Sequence, residues 1–165
     1  MLMRNVLFKR FIGHLIFTIA CFLLLGCSTP KTQLSSGMDH EPILSKTEFL
    51  AEDGYHLPIT RFWPETSPNG IVVALHGFND YSKAFEGMCQ YFVSKNIACL
   101  AYDQRGFGGT RMVGIWPEEG RLQMDLHLLV KQIRNQYPQQ PIFLVGESMG
   151  GAVIMTAMAD TRFSL

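Results

Sequence analysis

The residues most able to do chemistry are Gly146-Glu147-Ser148-Met149-Gly150. The apolar run Ile142-Phe143-Leu144-Val145 precedes them and predicts a buried strand. Residues 151–159 follow and read as a helix. A serine on a sharp strand-to-helix turn sits in strained backbone with its hydroxyl pushed out above the sheet. Glycines at 146 and 150 suit that turn because side chains there would collide with neighbouring backbone. The chemistry implied is nucleophilic attack on a carbonyl. A serine hydroxyl is a weak nucleophile without a general base. No histidine follows Ser148 in the 165 residues, and the only later carboxylate is Asp160.

Positioning such a serine requires a sheet, and the hydrophobic pattern supplies one. Residues 47–51 and 57–63 read as strands around the turn Glu52-Asp53-Gly54, and 71–75 as a strand buried on both faces. Residues 83–95 read as a helix with Phe85, Met88, Cys89, Phe92 and Val93 on one side. Residues 97–102 read as another buried strand. A second helix is predicted over 118–137, with Leu122, Leu126, Leu129, Val130 and Ile133 as its apolar face and Asp125 on an exposed face. Buried strands alternating with helices imply an α/β fold, a mostly parallel sheet with helices on both faces. Ligands in such sheets bind beyond the C-terminal strand ends. His76, Asp103 and Ser148 all fall there. Cys89 and Cys99 are expected as small buried thiols.

Three landmarks recur in order: Leu75-His76-Gly77-Phe78-Asn79-Asp80, Ala101-Tyr102-Asp103-Gln104-Arg105-Gly106-Phe107-Gly108, and the serine turn. Together they resemble the α/β-hydrolase family, within it the monoacylglycerol lipase and lysophospholipase-like (serine aminopeptidase-like) branch, over about residues 47–165. The resemblance implies that Ser148 is the nucleophile and that the backbone N–H groups of Met149 and Phe78 form the oxyanion hole. It makes His76, Gly77, Gly146 and Gly150 structural supports. It implies an ester hydrolase acting through an acyl-enzyme on acylglycerols, lysophospholipids or small esters, with no metal or organic cofactor. The family's acid and histidine follow the serine on later strands, as does its cap. Residues 47–165 are therefore expected to be the truncated N-terminal part of the domain, inactive alone. A proline-iminopeptidase-like peptidase shares these motifs. A non-catalytic remnant or lipid-binding lipoprotein is the alternative of another class.

Other residues carry structural readings. Asp103 and Arg105, tempting as a charged pair, are read as a network fixing their loop. His127 is read as a surface or packing residue of its helix. Glu147 and Phe107 stand where this branch often has histidine. Gly106-Phe107-Gly108-Gly109 lacks the spacing of a phosphate loop and reads as a tight turn.

The composition is 47% hydrophobic with zero formal net charge, 14 basic residues balancing 14 acidic ones. Apart from the N-terminus there is no basic run, which argues against a nucleic-acid partner. Arg4, Lys9 and Arg10 precede an apolar stretch at 11–25, and Leu24-Leu25-Gly26-Cys27 resembles a bacterial lipobox. Residues 1–26 are thus expected to be a lipoprotein signal peptide, Cys27 the lipidated N-terminus, and 27–46 a flexible tether. An uncleaved membrane anchor is the alternative. Ser28 after the cysteine, by resemblance to Gram-negative lipoproteins, points to a cell-envelope protein on the outer membrane facing the periplasm. The sequence leaves the oligomeric state open.

Overall fold

Ile71-Val72-Val73-Ala74-Leu75 and Ala98-Cys99-Leu100-Ala101-Tyr102 are apolar throughout, and each forms a strand buried along its whole length: β5, Ile71–Leu75, and β6, Ala98–Tyr102. A computed structural model describes Arg10, His14, residues 31–37 and residues 39–162 of the chain. The signal segment and Cys27 lie outside the described residues. The chain divides into two compact units, Met1–Lys31 and Thr32–Leu165. All elements named below belong to the second. Among the described residues no helix is long and apolar enough to cross a membrane.

The remaining strands are β1, Thr32–Gln33; β2, Ile43–Leu44; β3, Glu48–Leu50; β4, His56–Phe62; β7, Trp116–Pro117; and β8, Ile142–Gly146. The helices are α1, Glu86–Ser94, entered through a 3₁₀ turn at Ser82–Phe85; α2, Arg121–Gln136; and α3, Met149–Ala159. A six-stranded sheet runs β2-β3-β4-β6-β5-β8, and β1 pairs with β7 in a separate parallel ribbon. Within the larger sheet, β6 and β8 flank β5 in parallel. The pairs β2–β3, β3–β4 and β4–β6 are antiparallel. The sheet is thus more mixed than the sequence pattern suggests. The turn after β3 is a short hairpin, and hairpins join only antiparallel strands.

Alternation along β5 sorts the core onto two faces. Ile71, Val73 and Leu75 join the cluster formed with α2 and α3, while Val72 and Ala74 join the smaller cluster under α1. Each large aliphatic side chain buried this way contributes about 1.5–3 kcal/mol. In register, Leu75 stands opposite both Tyr102 and Gly146. The C-terminal ends of β5, β6 and β8 are therefore level, and the loops that follow them meet at one end of the sheet.

Two expectations are corrected. Cys89 and Cys99 are joined by a disulfide across ten residues. Cys99 faces α1 from β6, and Cys89 points down from that helix, so their Cα atoms lie 5.2 Å apart, within the usual span for a disulfide. The stretch expected as a tether also contains structure. Gln33 is buried, its side-chain amide donating to the Met112 and Ile115 carbonyls (3.1 and 2.5 Å), and Leu44 is part of the main core.

Candidate active site

The serine turn is shaped by steric exclusion. A Cβ on Gly150 would overlap the Leu75 carbonyl, and one on Gly146 would overlap the backbone of Gly150 and Gly151. Only glycine lets α3 start so close against β5. The Glu147 amide donates to the Leu75 carbonyl at 3.0 Å, which fastens the turn to the central strand. Ser148 itself has φ 47° and ψ −109°, a left-handed conformation costly for a residue with a Cβ. Its side chain is exposed at the N-terminus of α3. There the Met149 amide is among the first-turn donors that a helix leaves without an internal partner. The helix dipole also favours negative charge at this point.

The loop after β5 comes up beside the serine. A Cβ on Gly77 would stand 3.7 Å from Ser148 Cβ and 3.8 Å from the Glu147 carboxyl carbon, so Gly77 lies against the serine turn and Phe78 follows directly. His76 beneath is fully buried. Its Nε2 accepts from the Gln104 amide at 2.9 Å, which leaves Nδ1 as the protonated nitrogen, donating to the Gly77 carbonyl at 2.8 Å. The Gln104 side-chain amide donates back to the His76 carbonyl at 2.8 Å. Both imidazole nitrogens are therefore committed to holding the loops after β5 and β6 together, and neither is available as a base.

Asp103 and Arg105 do not pair with each other. The Asp103 carboxylate accepts from the Ser82 amide at 2.8 Å and the Gly109 amide at 2.7 Å, tying the 3₁₀ turn to the tight turn at 106–110. Arg105 turns the other way, bidentate to Asp53 (2.7 and 2.7 Å) and to Asp125 (2.6 and 2.9 Å), with its guanidinium 4.1 Å from the Tyr55 ring centroid. Arg121 approaches both carboxylates at 3.5 Å. Burial pushes the Asp53 carboxyl up. The bonds and charge of Arg105, the charge of Arg121 and the Tyr55 amide outweigh it and hold the group below its ordinary range. At fully enclosed Asp125 burial wins, and the carboxyl is raised despite the same guanidinium.

Asp125 is thus buried, contrary to the exposed helix face expected for it. A signal was present: three residues after Leu122 and four before Leu129, it shares their face of α2. Asp53, read as a turn residue, and Gln104, given no role, also belong to the supporting framework. His127 is half-buried on α2, where burial, then the charges of Lys131 and Arg134, lower its imidazole. Asp160 pairs with Arg162 at 2.9–3.0 Å just beyond α3.

Aromatic rings wall the site on the β6 side. Phe107 meets His76 edge-on at 5.7 Å, Phe78 at 5.5 Å and Trp116 at 6.0 Å between centroids. A crevice of about 250 Å³ opens between the start of α2 and α3, with Trp116, Leu122, Met149 and Val153 among its walls. Among the described residues no cluster of His, Cys, Asp or Glu is arranged to hold a metal ion.

This geometry has known counterparts. The family described as serine aminopeptidase, S33, matches residues 66–164. Rat monoglyceride lipase is 31% identical over 118 residues, 68% of this chain and 38% of that lipase. The monoacylglycerol lipase of Mycolicibacterium smegmatis is 28% identical over 112 residues, 67% of this chain and 40% of that one. Among solved structures, a carboxyl esterase from Bacillus coagulans in complex with glycerol superposes with a TM-score of 0.62 at 28% identity, over 76% of this chain and 41% of the esterase. A soluble variant of Saccharomyces cerevisiae monoglyceride lipase shares the fold, with a TM-score of 0.57 at 21% identity, over 79% of this chain and 39% of that one. The chain thus spans less than half the length of each of these relatives. It is a member of the serine aminopeptidase S33 family of α/β hydrolases.

Proposed function

We propose that these residues carry the nucleophile and oxyanion hole of a carboxylic ester hydrolase whose substrates are acylglycerols or related lipid esters. The observation that carries the reading is Ser148 at φ 47° on a turn fastened to Leu75, with Gly77 packed against it. The Ser148 hydroxyl attacks the ester carbonyl. The amides of Met149 and Phe78 face the oxygen on which negative charge develops, and donors placed there in advance lower the barrier. The alcohol leaves, and water releases the acid from the acyl-enzyme.

The general base is not His76, whose ring nitrogens are both engaged, and no histidine follows Ser148 in this sequence. Acyl transfer by these residues alone should stay at about 10³–10⁴-fold over water, the level left when a triad member is missing. The similarity to monoglyceride lipases supports the lipid-ester substrate class. The N-terminal charge, apolar stretch and Cys27 support a lipid-anchored envelope protein. A disulfide between Cys89 and Cys99, a bond rare in reducing compartments, supports the same placement.

A fluorophosphonate probe tests the reading. Slow labelling, as a serine without its base requires, that maps to Ser148 and vanishes in Ser148→Ala is expected. Equal labelling of that variant, or none of the unaltered chain, would favour an inert or merely lipid-binding protein.

A further inference from the structure

Five large apolar side chains stand exposed at the end of the sheet that bears Ser148: Leu34, Phe78, Met112, Val113 and Trp116. They lie on neighbouring segments of the chain. Phe78 and Trp116 have ring centroids 6.2 Å apart, Trp116 lies in register with Thr32, and Leu34 and Met112 line one groove of about 350 Å³. The buried side chain of Gln33 pins this N-terminal strand to the loop bearing Met112 and Val113. Contiguous apolar surface of this kind marks an interaction face. Exposed Arg111 and Glu119 and half-buried Asp80 around it give mixed charge, which suits no strongly charged partner.

The sequence indicates the occupant. Thr32 follows Cys27 by only five residues, and five extended residues reach at most about 18 Å. Whatever surface holds Cys27, Thr32 at the start of β1 stays within that distance of it, and the rings beside β1 stay close to that surface. We infer that Leu34, Phe78, Met112, Val113 and Trp116 form a lipid-docking face that lays the mouth of the Ser148 site on a bilayer. The inference rests on reading the N-terminus as a lipid anchor and the substrate as a lipid ester. Trp and Phe side chains favour the interfacial depth of a bilayer, and a single lipid chain binds only marginally without a second contact. The face supplies that contact. It also brings a bilayer-borne ester to the serine without a passage through water.

The chain has two tryptophans, and the second serves as an internal control. Trp63 follows β4 at the opposite end of the sheet, packed at 5.1 Å against Tyr137. The full chain is bound to zwitterionic phosphatidylcholine vesicles containing shallowly brominated lipid. In Trp63→Phe, the remaining Trp116 emission should be strongly quenched and blue-shifted. In Trp116→Phe, the remaining Trp63 emission should be unchanged. Adding Met112→Gln and Val113→Gln to Trp63→Phe should remove most of the quenching while leaving fluorophosphonate labelling of Ser148 intact. Equal quenching of both tryptophans, quenching of neither, or quenching indifferent to the glutamines would overturn the docking face. Failed labelling with intact quenching would count against the ester-hydrolase reading alone.

Discussion

Two apolar strands of the same length meet at the active site in very different surroundings. All five residues of β5 are buried, and beyond it His76 is locked by hydrogen bonds on both ring nitrogens. Neighbouring β8 has no fully buried residue, and its Phe143 is 52% exposed. Among the described residues β8 pairs only with β5. The side of the site bearing Gly77 and Phe78 is therefore held by burial and satisfied polar groups. The serine side is held by close backbone packing of Gly146 and Gly150 on its neighbours. A site can thus be preorganised by two unrelated kinds of restraint, and each should fail in its own way.

The largest effect is expected on the buried side. Arg105→Ala leaves the carboxylates of Asp53 and Asp125 enclosed without their partner, and should cost about 3–5 kcal/mol in urea unfolding. If the cost were under 1 kcal/mol, the network would not be what holds the loop after β6. On the serine side, Gly150→Ala forces a methyl into the Leu75 carbonyl. It should cost about 1–3 kcal/mol and also diminish fluorophosphonate labelling of Ser148, because α3 must back away from β5. Unaltered labelling would show that the turn tolerates displacement.

A smaller effect concerns acid. The Asp53 carboxyl is held below its unfolded value in the folded chain. Its contribution is complete above the ordinary carboxylate range and is lost as pH falls through the lowered value. Stability should decline below about pH 4, and Asp53→Asn, though less stable at neutral pH, should decline less steeply. Equal slopes would remove Asp53 from the account. The smallest effect is expected at the exposed strand: Phe143→Ala should shift stability by no more than about 0.5 kcal/mol.

The same contrast explains what could be read from the sequence. Continuous apolar runs identified β5, β6 and β8 as strands, and their C-terminal ends brought His76, Asp103 and Ser148 to one end of the sheet; the burial expected of 142–145 is not met, since β8 has no fully buried residue. Pairings that depend on tertiary contact were less legible. Asp125 looked like an ordinary helix-surface carboxylate until Arg105 was found opposite it. The Cys89–Cys99 bridge depends on how α1 crosses β6, which no spacing rule gives. The polar stretch before residue 47 hid the strand pairings of β1 and β2, because two-residue strands show no periodicity. Ser148 was legible because steric necessity requires glycines around it.

Native-state hydrogen exchange tests the central contrast most directly. The Gln104 amide, donated to buried His76 Nε2, should exchange only through global unfolding. Just after β8 the Glu147 amide points to β5, so alternation turns those of Leu144 and Gly146 outward. These should exchange orders of magnitude faster. Protection at Leu144 and Gly146 equal to that at Gln104, or rapid exchange at Gln104, would contradict the account.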